Sequence, residues 1–392
     1  AQRIVATEGL DEIDLLEVLP RLIDKSLVLA EPAEGEMRYR LLETIREFGA
    51  EQLITAGDTD QLQIRHASFY LQLAEEAEPN LQTAKQPETE QMLEAEHDNL
   101  RQALRWALDT RRTETAYRLV GALSPFWYRK NHTVEGRQWL RAVLDLPGFV
   151  DEPVRAKVLH GAGVCASSQN DQAEAVAYLQ DAVEIYRRHV NVHQLELGET
   201  LLSLARFVHY AQADFSWAEL LYREALENFR QIDQWRVART LGNLVYLAVA
   251  KGDLGMAQGF NQEQLMIARE LGSLQLGTAF DAASAIKVYT GDIKSALDDF
   301  QQAAKNYQAA GDHYLASVMR AHLALGHLES GNVGRAAEVF IPNAIVLLRD
   351  PEHQSLAGPV CGSGRHPRRN RDRTTPARKG CNPHRGNNAD GR

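Results

Sequence analysis

The sequence is poor in residues that build covalent or membrane-embedded scaffolds. It has three cysteines among 392 residues and no Cys-x-x-Cys pair, which excludes a disulfide framework and a standard zinc ribbon. No apolar run reaches the ~18 residues of a membrane span, and the first residues lack the basic, apolar, small order of a signal peptide. We therefore expect no transmembrane helix and a location in the reducing cytoplasm.

Motifs of catalysis are also missing. The sequence contains no Gly-x-x-x-x-Gly-Lys-Ser/Thr phosphate loop, no Gly-x-Ser-x-Gly and no His-Glu-x-x-His. The chain is therefore predicted not to be an enzyme and to hold no cofactor of its own. No metal site is predicted either. His97 and Asp98 are interpreted as a helix cap and a solvated face, and His189 and His193 as a capping cluster at a helix end.

Negative charge dominates except near the C-terminal end. The formal net charge is −10, but residues 359–392 contain nine Lys/Arg and two Asp, which leaves −17 for the rest. An acidic body repels phosphate backbones, so the folded part is not expected to bind nucleic acid. Residues 351–392 are predicted to be a disordered basic tail, because nearly all large apolar side chains are missing there. Contact with nucleic acid, a solvated linker and out-of-frame translation of GC-rich DNA stay open as interpretations of this tail.

The most regular feature of the sequence is a ladder of five alanines spaced 43, 39, 39 and 40 residues apart. The ladder consists of Ala175, Ala218, Ala257, Ala296 and Ala336. A turn signal rich in Gly, Asn and Asp precedes each alanine, and a large apolar residue follows it by four positions at Leu179, Tyr222, Phe300 and Phe340. A fixed period of this length predicts a solenoid of stacked helical hairpins, with the alanine where two helices cross closely.

The repeats resemble the tetratricopeptide pattern of small residue, aromatic and alanine, although that repeat has about 34 residues and these have about 40. Gly136 lies 39 residues before Ala175 and indicates a degenerate earlier repeat. Its helices are predicted at Glu114–Lys130 and Glu135–Leu146. The predicted fold class is therefore all-α, a tetratricopeptide-like α-solenoid of five to six hairpins.

The region before the repeats has a different element order. Apolar periodicity predicts, in sequence, a helix, a strand, a loop, a strand and a helix, which is the order of a winged helix. The predicted elements are Asp11–Ser26, Leu27–Ala30, Glu31–Glu36, Met37–Leu42 and Leu42–Ala56, followed by helices over Gln61–Ala77 and Glu88–Asp109.

Three stretches resemble a known family. The segments "LPRLIDKSLVLAE…MRYRLLETIREFGAEQL", "RHASFYLQLAEEAEPNL…LEAEHDNLRQALRWAL" and "FWYRKNHTVEGRQWLRAVL" are similar to bacterial STAND-type regulators, the large LuxR-like and antibiotic-regulator-like proteins with an NB-ARC ATPase core. The resemblance covers roughly residues 10–350. It implies that a nucleotide-binding domain, carrying ATP or ADP, lies upstream of Ala1 and that this chain is a fragment.

These observations predict four segments: a winged-helix remnant over 1–58, a helical linker over 59–112, the repeat solenoid over 113–350 and the tail over 351–392. The predicted function is the sensor and autoinhibitory half of an ATP-dependent transcriptional regulator. Its partners would be a protein or small effector in the solenoid groove and the upstream ATPase, without a membrane. Two alternatives stay open, a passive repeat scaffold and DNA binding by the winged helix. The acidic body and a first helix with only Arg21 and Lys25 weigh against DNA binding.

One helical face of the first helix in each hairpin is predicted to line the groove. Counting back 7, 8, 11, 15 or 18 residues from the ladder positions selects this face. The selected residues are Lys157, His160, Phe207, Tyr210, Arg239, Tyr246, Asp281 and Tyr289. Such a mixture of rings and cations suits a peptide or a small acidic ligand. The alternative is that the rings only pack neighbouring hairpins.

Overall fold

The structure is a computed structural model that describes residues 4, 12–33, 36–83 and 85–349. The tail predicted over 351–392 lies outside the described residues. Within the described ranges, no helix is both long enough and apolar enough to cross a membrane. The described elements up to residue 344 belong to one compact unit.

The chain begins with a small helix and hairpin unit, as the order of the sequence pattern indicated. Helix α1 (Glu12–Asp24) leads into strands β1 (Val28–Ala33) and β2 (Glu36–Leu41), and helix α2 (Glu43–Ala56) follows. The strands pair antiparallel, with Val28 opposite Leu41. The element order is confirmed, whereas the winged-helix assignment itself stays a prediction.

The helical linker contains one more break than expected. It consists of α3 (Thr59–Ala77), a 3-10 turn, α4 (Gln86–Ala95) and α5 (His97–Asp109). The single helix predicted over Glu88–Asp109 is therefore wrong, because the chain leaves helical geometry at Glu96. The break places the Glu96 carboxylate where it accepts hydrogen bonds from Arg38 Nη2 at 2.7 Å and Tyr70 Oη at 2.9 Å. Tyr70 and Arg38 belong to elements that a sequence window over α4 and α5 does not contain.

The rest of the described chain is an all-α solenoid of six helical hairpins. In each hairpin the first helix has an even number and the second an odd number. The helices are α6 (Thr113–Arg129), α7 (Thr133–Leu144), α8 (Glu152–Ser168), α9 (Gln172–Arg188), α10 (Val190–Phe207), α11 (Phe215–Phe229), α12 (Gln234–Lys251), α13 (Leu254–Leu271), α14 (Ser273–Thr290), α15 (Ile293–Ala309), α16 (His313–Glu329) and α17 (Val333–Arg349).

The turn signals of the sequence act as helix caps. Before α9, α11, α13 and α15, one residue adopts a positive φ, and the aspartate after it accepts the backbone N–H three residues ahead. The positive-φ residues are Asn170, Ala213, Gly252 and Gly291, and the caps are Asp171, Asp214, Asp253 and Asp292. A left-handed residue reverses the chain, and the carboxylate satisfies a backbone donor that the helix start leaves free.

The alanine ladder lies where the helices of each hairpin cross. Each of the five alanines is the fourth residue of its helix, and each is between 0% and 3% exposed. Gly136 has the same place in α7, and a Cβ there would lie 2.9 Å from Trp127 Cβ, which confirms the degenerate repeat. Leu179, Tyr222 and Phe300 are buried as expected, but Phe340 is exposed because α17 is the last helix of the described chain.

The long first interval of the ladder coincides with irregular backbone. His193 is non-helical inside α10, and residues Val208–Gln212 form a π-helical stretch after it. A π-helical stretch accommodates extra residues without breaking the helix. Helix α11, the second helix of this hairpin, can therefore still start at the same position in its repeat as the second helices of the other hairpins.

Candidate functional site

The eight predicted groove residues lie on the first helices α8, α10, α12 and α14 and on the π-helical stretch after α10. The structure brings most of them into two neighbouring clusters of polar side chains. The first cluster, here called the ion-pair cluster, comprises Lys157, His160, Glu199 and Arg239. The second, here called the tyrosine–aspartate cluster, comprises Tyr210, Tyr246, Asp281 and Tyr307.

In the ion-pair cluster the cations have carboxylate partners. Lys157 Nζ pairs with Glu78 in the 3-10 turn of the linker. Arg239 Nη2 donates to both oxygens of Glu199, at 2.6 and 2.7 Å, and its guanidinium lies 4.9 Å from the ring centre of Trp235. The positive charge that the sequence suggested for this wall is therefore neutralised.

Glu199 is the carboxylate that pairs with Arg239 and Arg236 in this cluster. Burial would raise the pKa of Glu199, but Arg239 and Arg236 outweigh it and hold the pKa below its usual value. His160 Nε2 lies 3.0 Å from Ser203 Oγ, and burial lowers the pKa of His160. The imidazole is therefore neutral near pH 7, so the charges that balance the carboxylates are those of Lys157, Arg236 and Arg239.

The tyrosine–aspartate cluster surrounds a carboxylate with phenol rings. Tyr246 donates a hydrogen bond to Asp281. Burial raises the pKa of Asp281 to about 6, although the Tyr246 hydrogen bond opposes this shift. The charge of Asp281 in turn helps to raise the pKa of Tyr246, Tyr210 and Tyr307, after burial itself.

Tyr210 gives this cluster an opening to solvent. It is 51% exposed, and desolvation by the surrounding protein raises the pKa of its hydroxyl. Its ring stacks on His209, with centroids 4.2 Å apart and planes inclined by 19°. Burial lowers the pKa of His209 to about 4, so the stacked imidazole is neutral at pH 7. The ring that the cluster exposes is that of Tyr210, because Tyr307 is only 2% exposed.

Two predicted residues lie outside both clusters. Phe207 is 8% exposed and packs in a core with Ala166 and Ala175, which leaves little of its ring for a ligand. Tyr289 is exposed, and its hydroxyl lies near the turn at Gly252. Phe207 therefore fits the alternative interpretation, in which the rings only pack neighbouring hairpins.

Sequence reasoning missed Glu78, Glu199, Ser203 and Tyr307. One signal could have identified Glu199, because it precedes Arg239 by one repeat period. Residues one period apart lie side by side on neighbouring first helices, so opposite charges at that spacing form an ion pair. The pair Glu75 and Arg118, with Nε to Oε1 at 2.8 Å, follows the same rule.

The histidines singled out from the sequence have different outcomes. His189 follows α9 directly, the helix-end position that was predicted, and its Nε2 lies 2.8 Å from Glu152 Oε2. Asp98 is solvated as expected. The prediction for His97 is wrong, because its side chain is buried against Phe126 rather than solvated. His97, Glu94 and His132 together form the group of side chains best placed to hold a metal ion within the described residues.

A part of this chain is similar in sequence to proteins that are named as regulators. No family model matches the sequence. Over 163 residues the chain is 34% identical to proteins of Mycobacterium tuberculosis and Mycobacterium bovis that are named as HTH-type transcriptional regulators. The aligned stretch is 40% of this chain and 18% of each relative. This chain therefore corresponds to less than a fifth of the length of those relatives.

Solved structures with helical repeats are similar at a lower level. A STAND protein with a tetratricopeptide repeat sensor from Pyrococcus horikoshii has a TM-score of 0.48 and 15% identity, covering 84% of this chain and 52% of that one. A Rap protein complexed with competence and sporulation factor has a TM-score of 0.47 and 13% identity, covering 74% of this chain and 94% of that one. Both TM-scores are below 0.5, so nothing about the function of this chain follows from them.

Proposed function

We propose that this chain is the non-enzymatic sensor part of a cytoplasmic transcriptional regulator of the STAND type. The repeats bind an effector or partner peptide at the tyrosine–aspartate cluster. The unit of α1, β1, β2 and α2, a winged helix in this proposal, passes the bound state to an NB-ARC ATPase domain upstream. The similarity to regulators that are more than five times longer than the aligned stretch supports a role as one part of a larger protein.

The observation that carries the proposal is the half-buried carboxylate of Asp281. Its raised pKa means that the negative charge of Asp281 at pH 7 costs the folded protein free energy. An apolar residue would fill the same space without that cost. Carboxylates with a strongly perturbed pKa are concentrated at functional sites, and the exposed side chain of Tyr210 lies in the same cluster. Tyr246 on α12 and Asp281 on α14 also join two repeats, so a ligand bound there contacts more than one hairpin.

The geometry favours a ligand that brings a hydrogen-bond donor or a positive charge. The acidic ligand expected from the sequence loses its main support, because Glu78 and Glu199 neutralise Lys157 and Arg239. Asp281 accepts hydrogen bonds, and the ring of Tyr210 offers a surface for a cation. A basic side chain or the amino terminus of a peptide has both properties.

An arrayed library of short peptides with acidic, neutral and basic compositions tests this proposal. Peptides that carry a basic group should be enriched on the purified chain, and Asp281→Asn should weaken their binding about tenfold or more, a loss of ~1.4 kcal/mol or more. Asp181→Asn is the matched control, because Asp181 is an exposed carboxylate on the second helix α9. Enrichment that survives Asp281→Asn, or no enrichment at all, would contradict binding at this cluster.

Exposed apolar side chains support the second part of the proposal. Met37, Leu41, Phe48 and Ile54 of β2 and α2 are each at least 49% exposed. An apolar surface of this kind on a small unit is typical of an interaction site. We propose that the upstream ATPase domain covers it, which would connect the repeats to the nucleotide state of that domain.

A further inference from the structure

We propose that Glu94, His97 and His132 form a binding site for a divalent transition-metal ion, zinc foremost, which no part of the proposed function requires. Glu94 is in the last turn of α4, His97 is the first residue of α5, and His132 precedes α7 directly. One potential ligand atom from each side chain lies within 4.8 Å of the other two. The fold therefore brings together two imidazoles and one carboxylate from three different segments.

The distances within the cluster are close to those of a coordinated ion. Nε2 of His132 is 3.0 Å from Oε2 and 3.3 Å from Oε1 of Glu94, and the two imidazole rings are 4.9 Å apart between centroids. Donor atoms around a tetrahedral zinc ion, at bonds of about 2.0–2.1 Å, are separated by roughly 3.3 Å. The side chains of Glu94 and His132 are partly exposed, at 44% and 29%, so small rotations about their side-chain bonds bring the donors to that separation.

His97 is the residue that distinguishes this cluster from an ordinary ion pair. Its side chain is 7% exposed, and its Nε2 is buried without a hydrogen-bond partner among the described residues. A buried polar atom without a partner is unfavourable, and nearly all such atoms in proteins are satisfied. Metal coordination by this imidazole removes a cost that the protein otherwise bears.

The surroundings supply the shell that metal sites usually have. Phe126 packs edge-on against His97, with centroids 5.4 Å apart, and its ring centre is 5.7 Å from that of His132. Glu135 Oε1 lies 3.6 Å from His97 Nε2, and Arg101 and Trp139 hold this carboxylate in place. Phe126 shields the site from water, and the Glu135 carboxylate on the Nε2 side of His97 adds negative charge that favours a cation there.

The type of donor indicates the type of ion. Two imidazole nitrogens and one carboxylate oxygen suit zinc and related divalent ions, and they leave a fourth position for water or an external ligand. The positive end of the α5 dipole near His97 disfavours a cation, but α4 ends beside it and offers the negative end of its own dipole. A bound ion would link the helical linker to the first hairpin.

The test uses the untagged 392-residue chain, stripped with a chelator, because a histidine tag binds the same ions. Cys361 and Cys381 are replaced by serine throughout, so that no thiol outside the described residues competes for the ion. Zinc chloride is titrated by calorimetry, and cobalt chloride is followed by its visible absorption. We expect one equivalent of each ion, the intense cobalt bands of four-coordinate geometry, and a higher melting temperature with zinc.

Variants decide which residues bind the ion. His132→Ala and Glu94→Gln change partly exposed side chains and should leave the circular dichroism spectrum unchanged, while weakening zinc binding about 100-fold or more. His189→Ala is the matched control, because His189 also pairs with a glutamate but has no third ligand in that pair. Failure of zinc or cobalt to bind at micromolar concentration would overturn the proposal. Equal zinc affinity in His132→Ala and the unaltered protein would do the same.

Discussion

The repeats bury their large apolar side chains, whereas the N-terminal unit of α1, β1, β2 and α2 leaves such side chains exposed. In the repeats, Tyr222 and Phe229 are completely buried and the ladder alanines nearly so. In the N-terminal unit, Val28 is the buried residue among the side chains described between 17 and 58, and Phe48 is 60% exposed. Each hairpin before the last described one is covered by the next hairpin along the chain, whereas the N-terminal unit lacks such a neighbour in the described chain.

In the repeats, neighbouring hairpins of the same chain cover the apolar surface. In the N-terminal unit, a partner has to cover it. Stacked repeats gain stability from their interfaces with adjacent repeats, so their apolar faces are matched inside one chain. A helix such as α2, in which none of the residues is buried, gains little from tertiary packing. The comparison therefore predicts that substitutions have large effects in the repeats and small or opposite effects in the N-terminal unit.

The largest of these effects is expected at the ladder. Ala296→Leu places three extra carbon atoms at a helix crossing that has no space, and we expect a loss of about 1–3 kcal/mol or more in the free energy of unfolding. Ala309→Leu, at the exposed end of the same helix α15, should change it by less than about 0.5 kcal/mol. Chemical denaturation of both variants measures the difference. An unchanged midpoint for Ala296→Leu would mean that the ladder does not mark the crossings.

Two glycines offer a test in which the sign of the effect changes between the regions. A Cβ at Gly198 in α10 would lie 2.5 Å from the ring of Phe229, so Gly198→Ala should destabilise the protein by roughly 1–2 kcal/mol. A Cβ at Gly49 in α2 would meet nothing within 4 Å, so Gly49→Ala should stabilise α2 by about 0.5–1 kcal/mol through helix propensity. Thermal unfolding gives the first value, and hydrogen–deuterium exchange of the amides of Glu43–Ala56 reports α2. If both substitutions changed stability in the same direction, the proposed difference between the repeats and the N-terminal unit would be wrong.

The third expected effect concerns Asp281, a carboxylate inside the repeats, and it depends on pH. The pKa of Asp281 is raised to about 6 from 3.8, so the folded state holds its proton more tightly than the unfolded state. Stability from this group is therefore present below pH 3.8 and is lost as the pH rises through about 6. We expect Asp281→Asn to be more stable than the unaltered protein by about 1–3 kcal/mol at pH 7 and to lose most of that advantage near pH 4.

Stability curves of Asp281→Asn and the unaltered protein between pH 4 and pH 7 provide the measurement. Taking the difference between the two removes the contributions of other groups, such as Glu199, whose lowered pKa acts in the opposite direction. Asp181→Asn serves again as the exposed control. A pH-independent difference between the Asp281 variant and the unaltered protein would show that this carboxylate is freely solvated.

The sequence was sufficient to predict which helices are neighbours but not how each side chain is turned. The ladder and the caps predicted the hairpins. In each repeat the small residue lies at a helix crossing, and the aspartate at a fixed distance before it caps the second helix. Counting back from Ala218 selected Phe207 as a groove residue, yet Phe207 is buried. The π-helical stretch over Val208–Gln212 lies between the two, so the regular helical count lost its register there.

Long-range partners explain the other differences between expectation and structure. The break at Glu96 and the burial of His97 depend on Arg38, Tyr70 and Phe126, which lie in other elements. The neutralisation of Lys157 depends on Glu78, in the linker before the repeats. No local pattern contains these partners, and only charge complementarity at one repeat period gave a usable signal, for Glu199 and Arg239.

Hydrogen–deuterium exchange of this 392-residue chain tests the central claim most directly. If the repeats complete their own packing while the N-terminal unit needs a partner, backbone amides in α10–α15 should exchange slowly, through opening of packed hairpins. Those of β1, β2 and α2 should exchange orders of magnitude faster. Protection in β2 and α2 equal to that in α10–α15 would contradict the account, because a unit that is already protected needs no partner to cover it.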